Sequence, residues 1–236
     1  LNKFFGQQAY ANYICDMEGD LMYLNALHPC PLIRTISVNG EGSITVPPNY
    51  ALLQIEVTTE GSEVEEAQQR NAAIMNQVIQ SILELGIPRE NIQTAAYNIF
   101  PRYDFVEGKQ VFRGYEVTNT ISVKIPDVSM VGKVIDTAVR NGANRISSLE
   151  FRLENEDAYY QRALSKALMN AQLKSNTIAE TMRLSVSPQV IEVVEEKEGS
   201  PIVPYRAMLM ESSTGATPIE QGVITIIARV TVKFQY

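Results

Sequence analysis

Residues 62–86 read SEVEEAQQRNAAIMNQVIQSILELG, and the spacing of their apolar side chains predicts a long amphipathic helix. Ser62 and Glu65 match a capping box, in which the hydroxyl accepts from a free backbone N–H and the carboxylate reaches back. Gly86 is placed for a left-handed C-cap, and Pro88 prevents continuation. The predicted buried stripe contains Asn71, as a core amide or register-setting residue, among Val64, Ala67, Ile74, Val78, Ile82 and Leu85.

Elsewhere, alternation of apolar and polar residues predicts β-strands. The most regular strand covers 110–125, after a strand over 93–103 and a turn at Glu107-Gly108. Further strands are predicted over 35–39, 43–46, 50–59, 146–153, 188–195 and 222–234, with the last one central or paired on both sides. Together the patterns predict an α+β fold: a twisted, mostly antiparallel sheet with βαβ-type units, packed by two long helices and one shorter helix.

The other two helices are predicted over 127–141 and 157–183. Asp127 is suited to cap the shorter one, and Gly142 ends it. The long helix has a predicted stripe of Tyr160, Leu164, Ala167, Ala171, Ile178 and Met182. Its small alanines predict close approach to a sheet or another helix.

Residues 1–32 lack a helical or strand period and are predicted to form an N-terminal extension. Residues 33–236 then form the α+β domain. A weak repeat relates the strand–helix–strand order over 50–103 to that over 115–153. It raises the option of two βαβ-type subdomains, about 33–125 and 126–236, with right-handed crossovers.

The charge balance argues against nucleic-acid binding. The chain has 20 Lys and Arg, 27 Asp and Glu and a net charge of −7, with no basic cluster. A nucleic-acid interface needs such a cluster to neutralise phosphates. No apolar run is long enough for a transmembrane helix, and no signal peptide is visible, although the chain starts at Leu1 rather than Met.

The residues that usually carry catalysis are scarce. His28 is the single histidine, so Ser-His-Asp and Cys-His sets and histidine-based zinc sites are not expected. Gly40-Glu41-Gly42 lacks the third glycine and the following helix of a dinucleotide-binding loop, and it predicts a turn or bulge with positive φ. We therefore predict a non-enzymatic protein without catalytic residues, cofactor or metal.

Cys15 and Cys30 lie within the predicted extension. They are read either as two unrelated thiols or as one disulfide, which would need an oxidising compartment. The first reading is favoured because the rest of the domain has no cysteine.

Two regions are candidate interaction surfaces. Arg102, Tyr103, Arg113 and Tyr115 cluster around the 93–125 hairpin, and aromatic and arginine side chains are favoured at subunit interfaces. Met208 and Met210 lie in a long loop over 196–218, where exposed apolar residues would mark a contact. These residues favour a self-assembling structural or interaction protein; the alternative is a small-ligand binding or hydrolytic module with a site near the 97–115 hairpin.

The order of short motifs resembles the SIMPL-domain family, which includes bacterial periplasmic immunogenic proteins. The matching motifs run from Thr35 to Phe234 and include Ser37-Val38-Asn39-Gly40-Glu41-Gly42, Glu66-Ala67, Leu85-Gly86-Ile87, Ile92-Gln93-Thr94, Pro101 with Tyr103, Gly114-Tyr115, Asn119, Gly142-Ala143-Asn144 and the alanines of the long helix. The resemblance implies an α+β fold, ring-like homo-oligomers, frequent export and a link to stress tolerance. It implies no catalytic residues.

Overall fold

The computed structural model describes residues 34–196 and 217–236. In this part of the chain seven strands form two antiparallel sheets, accompanied by three α-helices. The strands are β1 (Thr35–Val46), β2 (Tyr50–Gly61), β3 (Ile92–Val106), β4 (Lys109–Ile125), β5 (Arg145–Arg152), β6 (Gln189–Glu196) and β7 (Ile224–Gln235); the helices are α1 (Val64–Glu84), α2 (Val131–Arg140) and α3 (Glu156–Thr181). The α+β class is confirmed, with two long helices and a shorter one.

The larger sheet has the strand order β3-β4-β2-β5. β2-α1-β3 and β4-α2-β5 are two β-α-β units that share this sheet, as the repeat predicted. Their strands are interleaved, because β4 lies between β2 and β3, and β2 lies between β4 and β5. Every neighbouring pair is therefore antiparallel, and the connectivity is the β-α-β-β-α-β arrangement of ferredoxin-like folds.

One face of this sheet packs against α1 and α2. The side chains in this core alternate along the strands and recur every three or four residues along the helices, and they include Leu53, Ile55, Val57, Met75, Val78, Ile82, Ile121, Val123, Val131 and Val134. Asn71 is fully buried among them, and its Nδ2 donates to Val57 O at 2.8 Å and to Val117 O at 3.0 Å. This amide ties α1 to the backbones of β2 and β4.

The helix termini correct one prediction. The N-cap of α1 is Glu63, without a side-chain cap, and Ser62 Oγ instead donates to Glu66 Oε2 at 3.4 Å. The predicted Ser62–Glu65 capping box is wrong because the helix begins at Val64, one residue later than that motif requires. Gly86 has a φ of 88°, as its predicted left-handed C-cap requires.

The smaller sheet has the order β1-β7-β6, and α3 packs over β1 and β7. β7 is the central strand, as predicted. Strands from the two ends of the described chain are thus joined in one layer. The subdomain boundary suggested near residue 125 lies between β4 and α2, and both of these elements belong to the other layer. Independent folding of residues 33–125 and 126–236 stays a prediction.

β1 is continuous through Gly40 and Gly42, neither of which has positive φ, so the predicted turn or bulge is wrong. A Cβ on Gly40 would lie 2.1 Å from Ala167 O, and one on Gly42 would lie 2.2 Å from Ala163 O. The glycines therefore allow the backbone of α3 to approach the strand directly.

The close approach also decides which face of α3 is buried. The residues turned toward β1 and β7 are small: Ala163, Ala167, Ala171, Ser175 and Ala179. Ile178 and Met182, predicted in the buried stripe, are exposed. The prediction failed there because the backbone contact leaves room only for small side chains on that face.

We expect Gly40→Ala to lower the free energy of unfolding by about 2–3 kcal/mol, because the new methyl group meets a helix backbone that cannot rotate away. Thermal and chemical denaturation will measure the change. Ser37→Ala, on the exposed face of the same strand, is the matched control. Equal stability of the two variants would contradict the close-contact interpretation.

The segment before β7 is anchored on α2. Thr217 donates to the Asp136 carboxylate through its Oγ1 at 2.5 Å and its backbone N at 3.1 Å. These hydrogen bonds, the side-chain one foremost, lower the pKa of Asp136 below its usual value. Because this pKa is lower in the folded state, the ionised Asp136 contributes to the stability of the fold. That contribution is present above the unfolded pKa and is lost as the pH falls through the folded pKa.

Asp136→Asn should therefore lower the melting temperature at neutral pH, and its difference from the unmodified chain should shrink as the pH falls below about 4, the usual pKa of an unfolded Asp. Melting curves across this pH range will test the expectation. Glu180→Gln, at an exposed carboxylate on α3, serves as the control. A difference that is independent of pH would show that the Asp136 charge is not involved.

Candidate functional site

The most unusual surface is the hairpin formed by the ends of β3 and β4. β2 pairs with β4 only as far as Tyr115, so the rest of β4 pairs with β3 alone. We call residues 97–115 the hairpin arm; its part beyond the end of β2 is residues 102–114. Its large apolar side chains are exposed: Tyr97, Ile99, Phe100, Tyr103, Phe105, Val106, Val111 and Phe112, with Phe105 at 77%.

The arm has an ordered interior of its own. Glu107 and Gly108 have φ values of 51° and 77°, which is the left-handed conformation of both central residues in a type I′ hairpin turn. The Phe112 ring stands edge-on to Tyr103 at 5.6 Å and to Tyr115 at 5.3 Å between centroids. Such aromatic pairs favour one defined arrangement of the two strands.

The predicted arginines take part in ion pairs within the arm and at its base. Arg113 is an extra residue of β4 at a register shift, and its Nε donates to Asp104 Oδ2 at 2.8 Å. Arg102 pairs with Glu60 of β2. Both pairs are largely exposed, so we assign each less than about 1 kcal/mol of stability.

The base of the arm is fixed by glycine. Gly114 has a φ of 127°, and a Cβ there would lie 2.3 Å from Gly61 O. A side chain at this position would separate β4 from the end of β2. The Gly114-Tyr115 motif noted in the sequence therefore sets where the arm leaves the sheet.

The structure brings four of the six predicted residues together and leaves two untested. Arg102, Tyr103, Arg113 and Tyr115 lie on the arm, whereas Met208 and Met210 lie outside the described residues, as do His28, Cys15 and Cys30. The sequence reading missed Phe100, Phe105 and Phe112 as interface candidates. The run FPRYDFV over 100–106 breaks strict alternation with large apolar side chains at both parities, which could have indicated exposure on both faces.

A concave surface lies at the C-terminal end of α3. It is an open cleft of about 460 Å³ lined by residues 176, 179, 180 and 183–188, including Glu180 and Arg183. Within residues 34–196 and 217–236, no group of three or more His, Cys, Asp or Glu side chains is arranged to hold a metal ion. None of the helices described is long and apolar enough to cross a membrane.

A two-layered α+β fold with a projecting hairpin defines the class of protein. The chain belongs to the SIMPL family, whose model is described as a protein of unknown function (DUF541) and matches residues 36–234. The family predicted from the motifs is therefore confirmed.

Curated relatives cover most of the chain. The 26 kDa periplasmic immunogenic protein of Brucella melitensis biotype 1 is 28% identical over 210 residues, which is 85% of this chain and 84% of that protein. The uncharacterized protein YggE of Escherichia coli strain K12 is 27% identical over 203 residues, covering 85% of this chain and 82% of its own length. YggE of Edwardsiella ictaluri is 21% identical over 154 residues, covering 65% of this chain and 64% of that protein.

The turn of the arm yields a direct test. Asn adopts the left-handed conformation more readily than Glu, and Asn-Gly is the preferred type I′ pair. Glu107→Asn should therefore slow amide hydrogen exchange in the arm several-fold. Glu107→Val should accelerate it, because a β-branched residue is strained at this φ. The same exchange rate in both variants would show that the turn does not limit the order of the arm.

Proposed function

We propose that the protein is a non-enzymatic interaction protein that self-assembles through the hairpin arm. The observation that carries the proposal is the arm itself, a paired and ordered hairpin whose large apolar side chains are 37–77% exposed among the described residues. Exposed apolar patches of this size usually mark protein contacts.

The exposed area is sufficient for a stable contact. If each exposed aromatic side chain of the arm offers on the order of 100 Å² and each aliphatic one somewhat less, the set supplies roughly 700–800 Å². That is about the area which one partner buries in a standard protein–protein interface. Ring-like homo-oligomers are the form of assembly we propose, as the family resemblance implies.

The periplasm is the proposed compartment, since the Brucella relative is named a periplasmic protein. A role in the envelope or in stress tolerance is proposed on the family resemblance. An oxidising compartment would also permit a disulfide between Cys15 and Cys30. Reaction of the purified chain with a thiol reagent, before and after reduction, distinguishes a disulfide from two free thiols.

The alternative of a small-ligand or hydrolytic site near the arm stays a prediction. Its two arginines are engaged by Asp104 and Glu60, and Tyr103 and Tyr115 are held by Phe112. A ligand there would have to displace these pairs. Loss of a measurable binding or hydrolytic activity on Arg113→Ala would favour this alternative over assembly.

The double substitution Phe105→Ser and Phe112→Ser should convert an oligomer at micromolar concentration into a monomer, because it removes two exposed aromatic side chains of the arm. Light scattering after size-exclusion chromatography will give the mass, and circular dichroism will confirm the fold. The control is Met169→Ser with Leu173→Ser, which removes two exposed apolar side chains from α3. A monomeric unmodified chain, or an arm variant of unchanged mass, would overturn the proposal.

A further inference from the structure

The two edges of the smaller sheet differ in what covers them. The edge at β1 is covered by side chains of α3. Lys166 Nζ donates to Ser43 O at 3.0 Å, and Lys174 Nζ donates to Asn39 O at 2.7 Å. Between them, Asn170 Oδ1 accepts from Glu41 N at 3.3 Å. Four helical residues rise about 6 Å, and two strand residues rise roughly 6.6 Å. Side chains four residues apart on α3 therefore meet every second residue of β1.

The opposite edge, at β6, has no such cover among the described residues. β6 pairs with β7 on one side, and no other described strand pairs with it on the far side. α3 packs over β1 and β7, and it reaches β6 through the hydrogen bond from Tyr160 Oη to Glu195 Oε1 at 2.6 Å. The apolar side chains of β6 are about half exposed: Val190, Ile191, Val193 and Val194.

An edge strand with exposed branched side chains is a site where an extended segment can add as a further strand. The arm supplies such a segment. β3 is the outer strand of its own sheet, and Pro101, which lacks an N–H, interrupts its free edge. The stretch of that edge on the turn side of the proline is residues 102–106. β6 has eight residues, so it can accommodate this length.

β6 is acidic, whereas the arm is close to neutral. β6 carries Glu192, Glu195 and Glu196 and no basic residue, while the three basic side chains of the arm are offset by Asp104 and Glu107 within it and by Glu60, which pairs with Arg102. The chain as a whole has a net charge of −7, so two copies repel at most relative orientations. This repulsion between two copies is weaker when the arm of one copy faces β6 of the other.

We infer that β6 of one copy receives the hairpin arm of a second copy by strand addition. This inference rests on the proposed function, and it names the surface that the arm contacts. The contact joins two different surfaces of the same chain, so it is heterologous, and repetition of it gives a closed ring or an open filament.

The test uses two full-length variants. The arm variant carries Phe105→Ser and Phe112→Ser, and the β6 variant carries Ile191→Lys and Val194→Lys, which place charge on the open edge. Each variant alone should be monomeric at micromolar concentration. An equimolar mixture should form a species of two chains and nothing larger, since one intact arm then meets one intact β6. Met169→Lys with Leu173→Lys on α3 is the control, and it should keep the unmodified mass.

The possible failures are distinguishable. If the β6 variant keeps the unmodified mass while the arm variant is monomeric, the arm contacts another surface, and the inference is wrong although the proposed function stands. A lower melting temperature with unchanged mass would indicate that β6 is covered by another part of the same chain. If the arm variant keeps its mass, the proposed function itself fails. Should the β6 variant not fold, hydrogen exchange in the unmodified chain decides: amides of β6 must exchange at least tenfold more slowly in the oligomer than on dilution to monomer, and equal rates would overturn the inference.

Discussion

The contact between the backbones of β1 and α3 is the constraint on which the smaller layer depends. Gly40 and Gly42 lie directly against the carbonyl oxygens of Ala167 and Ala163. At this distance the helix has no room for larger side chains on its buried face, and its lysine and asparagine side chains reach the edge of β1. One close contact thus joins strands from opposite ends of the described chain and closes one edge of their sheet.

The same contact has a consequence for the opposite edge. Because α3 lies toward β1, it leaves β6 outside its cover, and the apolar residues of β6 face outward. The larger layer has a comparable asymmetry, since its helices cover the main part of the sheet and the hairpin arm extends past β2. Within the described residues, each layer therefore has a well-packed centre and one exposed apolar element, and these two elements are the ones that the proposed assembly uses.

Sequence patterns predicted the elements more reliably than their arrangement. Features that depend on local periodicity or on one residue's backbone preference were predicted from the sequence. They are the α1 stripe, the strand over 110–125, the Glu107-Gly108 turn and the central position of β7. The Ser62 capping box failed by a single residue, a shift that local motifs do not resolve. The candidate site was found in part: Arg102, Tyr103, Arg113 and Tyr115 were identified, but the phenylalanines beside them and the exposed β6 were not.

By itself the sequence determined the α+β class, the helix and strand identities and the family, since these follow from hydrophobic periodicity and from motifs spread over residues 36–234. Only the tertiary structure decided that the strands divide into two sheets, that Gly40 and Gly42 serve close packing rather than a turn, and that Ile178 and Met182 are exposed. The physical reason is that strand partners and the approach of α3 depend on contacts between residues far apart in the chain. Local periodicity shows that a side chain is buried against apolar neighbours, but it does not show which residues those neighbours are.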